Sequence, residues 1–344
     1  MKDFNTLYKL EARRQYRRTL TAVGAVLLIW VVLMESLPTG YLILSELAYN
    51  LFVPTAAEII DSVVYGVMYL AIFMVPAIFF SIIAGKNKTQ PMRLEVKLTK
   101  DTFALIAAAL ACAFAMSYVN ALVMNLFSVP ESIPLFIETT PYTEDYSIIL
   151  QFITMALVPA FCEEFLFRGV ILSNLMPYGK ATAVVISSVL FGCMHGNFYQ
   201  FLYTVAGGIV IGTVYVLTDS IWCSIFIHMI NNSVAVFQES VISRLESDGA
   251  NIVITVLEGI IFSTGLLCAI YLLHKYRKPE RESKSAEDEE KYASVFGKPL
   301  DSELPDDTIA LIPASEALKQ FFNPLITVFI LYSLFRAFAV LAMM

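Results

Sequence analysis

The chain has 344 residues, 58% of them hydrophobic and only 15% charged, with a mean hydropathy of +0.69 and a net charge of −7. A soluble protein of this length needs far more polar side chains to cover its surface, so a soluble globular fold is excluded. The hydrophobicity comes in continuous blocks of about 20 residues, the length of a bilayer-spanning helix, rather than the alternating pattern of a membrane barrel.

In chain order, apolar blocks lie near residues 19–37, 62–84, 102–127, 147–173, 180–196, 198–217, 221–239, 251–273 and 321–344. They predict an all-α, polytopic transmembrane helical bundle of about eight to nine membrane helices. The first block is longer than a cleaved signal's apolar core and lacks a small-x-small site, so it reads as a retained helix. Lysine and arginine set the orientation. The segment Lys9–Arg18 is strongly basic, as are the loop after the second block (Lys86, Lys88, Arg93, Lys97, Lys100) and the stretch His274–Arg281. The loop between the third and fourth blocks carries Glu131, Glu138, Glu144 and Asp145 and no basic residue. An eight-crossing path in the cell membrane with a cytoplasmic N-terminus satisfies this pattern. The ninth block then leaves the C-terminus outside, unless a central block is re-entrant. Between the last two blocks, the acidic, proline-containing stretch Lys284–Asp307 reads as a cytosolic linker.

The expected organisation follows: a basic segment and three membrane helices over 1–146, a helical core over 147–239, a membrane helix over 240–273, a linker over 274–320 and a last membrane helix over 321–344. The five cysteines, at 112, 162, 193, 223 and 268, all fall in apolar blocks without C-x-x-C spacing. Burial as small helix-packing residues is expected rather than disulfides or zinc ribbons. The pair Gly208 and Gly212 predicts close helix packing.

The fourth block interrupts its apolar run with Glu163, Glu164 and Arg168. An ionised side chain at mid-bilayer costs roughly 2.5–3.5 kcal/mol on insertion scales, so these groups must face protein or water. Glu164 and Arg168 are four apart and can pair on one helix face. Glu163 is rotated about 100° from Glu164, which leaves it the freer carboxylate and the better proton acceptor. Two of the three histidines, His195 and His228, also lie inside apolar blocks, while His274 sits at a basic helix end. Phe191 precedes His195 by four, and Asn232 follows His228 by four, on the same helical faces.

The ordered set E-E-x-x-x-R, F-x-x-x-H and H-x-x-x-N resembles the CAAX-protease and bacteriocin-processing (Abi, or type II CAAX prenyl endopeptidase) family over about 147–239. The resemblance implies an intramembrane endopeptidase. Glu163 and His195 would activate a water, His228 and Asn232 would stabilise the oxyanion, and Glu164, Arg168 and Phe191 would support them. Amide hydrolysis does need a base for water and donors for the developing negative oxygen, which these residue types supply. A metal-free route is favoured. Zinc held by Glu163, His195 and His228 is the alternative, although no H-E-x-x-H motif is present. The expected partners are membrane lipid and a peptide or membrane-anchored protein substrate, with no nucleic acid. The substrate would undergo CAAX-type C-terminal processing, peptide maturation or an immunity reaction.

Two other classes compete with the protease reading. A proton- or ion-coupled transporter would use the same polar types but predicts internal repeats that the sequence does not show. A non-catalytic scaffold or immunity protein would make the polar set dispensable.

Overall fold

A computed structural model describes residues 4–85, 89–96, 99–126, 148–245, 247–276 and 312–342. Every element among them is helical. In chain order these are α1 (Phe4–Leu51), α2 (Pro54–Ala84), α3 (Lys100–Leu126), α4 (Ile148–Tyr178), α5 (Lys180–His195), α6 (Phe198–Thr218), α7 (Ile221–Arg244), α8 (Ser247–Tyr276), α9 (Ala314–Phe321) and α10 (Pro324–Ala342). Among the described residues, seven helices are long and apolar enough to cross a membrane, and eight if α9 and α10, bent by 70° at their junction, form one span. The chain is a multi-pass, all-α membrane protein.

Two features depart from the apolar blocks. The first helix begins at Phe4, well before the apolar block at 19, because arginine and lysine are good helix formers and need not end a helix. The fifth block folds as α5, only 16 residues long, too short to cross a hydrocarbon core about 30 Å thick. The expected linker also ends in structure, since α9 lies within it. The stretch Lys284–Asp307 and the acidic loop bearing Glu131, Glu138, Glu144 and Asp145 lie outside the described residues.

The larger apolar core joins α1, α2, α4, α5 and α10 around Leu27, Trp30, Phe73, Phe167 and Phe329. The Trp30 ring meets Phe73 and Phe329 edge-on, at 6.2 and 6.3 Å. A smaller core joins α3, α6 and α7 through Leu110, Val214 and Ile227. Lipid is as apolar as these side chains, so close packing rather than hydrophobic exclusion must hold the helices together. Gly208 accordingly lets α6 lie against Ser188 of α5, where a Cβ would stand 3.0 Å from the serine Cβ, and a Cβ on Gly212 would stand 3.3 Å from Val184. On the outside, α8 has only 6% of its apolar window buried and packs on α3, where a Cβ on Gly265 would come within 2.2 Å of Ala111. Cys162, Cys193 and Cys223 are buried, but Cys112 is exposed and Cys268 partly so. The burial expected of all five cysteines therefore fails for Cys112, because its helix face looks outward, and an apolar thiol is stable there in lipid.

Candidate active site

The helix that carries the acidic motif is not a uniform α-helix. Within α4, Phe152–Leu157 and Phe165–Leu172 are π-helical, and the short α segment Val158–Glu164 between them ends on Glu163 and Glu164. Wide turns of this kind re-aim side chains and cluster at functional sites. All three charged groups of the motif are buried: Glu163 is 5% exposed, Glu164 0% and Arg168 1%.

Glu164 and Arg168 form an ion pair, Nη1 to Oε1, at 2.9 Å. The other end of the guanidinium donates to the Gly208 carbonyl at 3.2 Å, and its carbon lies 4.6 Å over the Phe191 ring. Gly208 thus serves both the close approach of α6 and the satisfaction of a buried arginine. His228 of α7 points Nδ1 at the same Glu164 oxygen, 2.8 Å away. A carboxylate ionised by its arginine can only accept, so His228 Nδ1 carries the hydrogen and Nε2 is left facing Glu163 Oε2 at 3.9 Å.

Glu163 is held from α2. The Tyr69 hydroxyl donates to its Oε1 at 2.5 Å, while Oε2 has no hydrogen-bond partner among the described residues. His195 ends α5, where Gly196, in the left-handed region at φ 61°, stops the helix. Asn197 then caps α6 by accepting from the Gln200 N–H at 2.7 Å. The sequence H-G-N therefore places His195 at a sharp corner. Its Nδ1 lies 2.9 Å from the Phe191 carbonyl, which can only accept, so Nδ1–H donates and Nε2 of the neutral ring is the free acceptor. Phe191 seats both imidazoles edge-on, with ring centroids 4.9 Å from His195 and 6.0 Å from His228. Glu163 and His228 both lie within electrostatic reach of His195.

Asn232 stands apart from this cluster, one helical turn beyond His228. Its Nδ2 donates to the Met155 carbonyl at 3.4 Å, and its Oδ1 accepts from Asn231 Nδ2 at 3.3 Å. Asn231 is itself fixed by the Tyr203 hydroxyl, which donates to its Oδ1 at 2.7 Å. The relay from Tyr203 through Asn231 engages Oδ1 of Asn232, and of the two hydrogens on its N–H₂ end one is directed at Met155 and the other is left to donate elsewhere.

The structure thus brings Glu163, Glu164, Arg168, Phe191, His195 and His228 together from three helices, with Asn232 beside them. Sequence reasoning missed Tyr69, Asn231 and Tyr203. Tyr69 had one legible signal: α2 repeats polar residues every fourth position, at Asp61, Tyr65 and Tyr69, and buries all three.

The donor types suit zinc in principle, with one lone pair left on each of Glu163, His195 and His228. Among the described residues, however, no three His, Cys, Asp or Glu side chains are gathered as a metal-binding group.

Residues 145–234 match the family described as type II CAAX prenyl endopeptidase Rce1-like. Over that segment the chain is similar to this family. The Rce1-like segment contains all the motif residues from Glu163 to Asn232 and leaves Tyr69 outside it. A second similarity is to a Bacillus subtilis (strain 168) protein named "Putative membrane peptidase YdiL", 33% identical over 93 residues. The alignment covers 26% of this chain and 37% of that protein, so the chain matches little more than a third of its relative's length. No solved structure matches the chain.

Proposed function

We propose that this chain is an intramembrane endopeptidase that hydrolyses a peptide bond with a water activated by Glu163 and His195. The observation that carries the reading is the buried Glu163 carboxylate. One oxygen is fixed by Tyr69, and the other is unpartnered among the described residues and turned toward His228. A structural ion pair accounts for Glu164 and Arg168 but gives Glu163 no such role, and a buried carboxylate with a free oxygen is equipped to take a proton.

In this mechanism Glu163 Oε2 accepts a proton from the attacking water as its oxygen bonds to the carbonyl carbon. That proton passes to the vacant Nε2 of neutral His195, which hands it to the amine nitrogen as the C–N bond breaks. The negative charge that develops on the carbonyl oxygen is met by His228 and by the Asn232 N–H₂. His228 already donates from Nδ1 to Glu164, so donation from Nε2 needs the imidazolium. The carboxylates of Glu163 and Glu164 on either side supply the compensating charge. No metal takes part in this scheme. A chelator that removes zinc from the purified protein is expected to leave cleavage unchanged, and loss of activity restored by zinc would reverse the assignment.

The substrate class follows the family name: a peptide or membrane-anchored protein cut near the membrane surface, including C-terminal peptides next to a prenylated cysteine. The distribution of basic residues supports a cell-membrane location with the N-terminus in the cytoplasm. The test compares membrane peptides from cells expressing wild-type protein and Glu163→Gln at equal protein levels. Substrates are expected to accumulate uncut in the variant. Identical peptide populations would remove the protease reading.

A further inference from the structure

A recess of about 950 Å³ opens at the end of the bundle that holds the first turns of α1, far from Glu163. One stripe of α1 lines it with Arg13, Arg14, Arg17 and Arg18, whose spacings of three and four place them on one helical face. The opposite stripe, Ala12, Tyr16 and Leu20, is buried in the core. The other wall is Ile83 and Ala84, the last residues of α2, with Glu316 of α9 at the side. The apolar span of α2 ends at Ala84. The recess therefore sits where hydrocarbon gives way to headgroups, with charge toward water and an aliphatic floor toward the bilayer.

Its charge is not balanced from within. Glu316 is committed to Arg13, which it meets at 2.6 and 2.7 Å. Arg14, Arg17 and Arg18 are exposed, and no acidic partner among the described residues meets them. Guanidinium groups crowded along two helical turns repel one another unless an anion lies between them, and their planar forks match phosphate oxygens. A free anion would satisfy the arginines and leave the aliphatic wall unused. A phospholipid would use both.

We propose that this recess binds the headgroup of an anionic phospholipid, its phosphate held by Arg14, Arg17 and Arg18 and its acyl chain laid along Ile83 and Ala84. The proposal is independent of the catalytic reading.

The full chain in detergent, titrated in turn with phosphatidylglycerol, phosphatidylcholine and inorganic phosphate and read by native mass spectrometry, tests it. The wild type is expected to bind phosphatidylglycerol in clear preference to phosphatidylcholine. Each basic side chain near an anionic headgroup contributes about five-fold, so the Arg14→Gln/Arg17→Gln/Arg18→Gln variant is expected to bind on the order of 100-fold more weakly. Glu316→Gln, which releases Arg13, is expected to bind more tightly, and Glu163→Gln as the wild type does. Equal binding of the two lipids, or unchanged affinity in the triple variant, would overturn the site. Displacement of the lipid by inorganic phosphate at matching concentration would reassign it to a free anion.

Discussion

Glu163 and Glu164 are adjacent in sequence, identical in residue type and both buried, yet their surroundings give them opposite roles. Glu164 carries an arginine and a histidine on one oxygen. Glu163 has only a tyrosine on one oxygen. Each carboxylate has a second oxygen without a hydrogen-bond partner among the described residues, so what separates them is the arginine that Glu164 carries and Glu163 lacks. Substitutions should separate them. Glu163→Gln is expected to abolish cleavage at unchanged stability. Arg168→Ala leaves Glu164 charged and buried without its cation, and should cost about 3–5 kcal/mol of stability, read as a lowered unfolding midpoint. Asn232→Ala should reduce kcat by about 10²–10³, the loss typical of one oxyanion donor. Tyr69→Phe removes a donor to a charged group, typically worth about 1.5–3 kcal/mol. It should lower kcat by roughly tenfold or more with little change in KM, because the tyrosine positions the base rather than the substrate. A Tyr69→Phe enzyme with wild-type kcat would show that the bond to Glu163 has no part in the chemistry.

At the scale of the elements, the motifs were legible because polar groups are costly in lipid and must converge. Glu163, Glu164, Arg168, His195 and His228 could be singled out by charge and position alone. Tyr69 could not, since a tyrosine in a membrane helix has many uses and its partner lies 94 residues away. The π turns of α4 were equally hidden, because no residue type marks an i→i+5 bond, and a uniform rotation of about 100° per residue no longer holds through Phe165–Leu172. Crossing points were partly legible in glycine. Gly265→Val should force α8 from α3, where even a Cβ lies 2.2 Å from Ala111. The expected result is a lower unfolding midpoint with the cleavage rate per folded molecule preserved, since α8 contributes nothing to the Glu163 cluster.

At the scale of the whole molecule, block length gave the membrane class and the approximate number of helices, because bilayer thickness fixes both. It could not distinguish a crossing from a short packed helix such as α5, nor show that α1 runs unbroken through its arginines. Nor does hydropathy reveal how the connection after α2 is spent. Backbone and side chains of that short stretch reach three different places. The Gln90 N–H donates to Asn174 of α4, the Arg93 carbonyl accepts from the Ile221 N–H, and the Leu94 carbonyl accepts from the Trp222 indole of α7. Met92 lies where a Cβ on Gly169 would be, 2.6 Å from its methyl, and Arg93 pairs with Asp219. The helices tied together here are the same ones that deliver Tyr69, the paired glutamates and His228. The connector is thus a tie-bar across the mouth of a three-legged frame, and the spacing between base, acid and imidazole is set partly outside the membrane. A single nick between Gln90 and Leu94 would leave every helix intact and still let the legs spread.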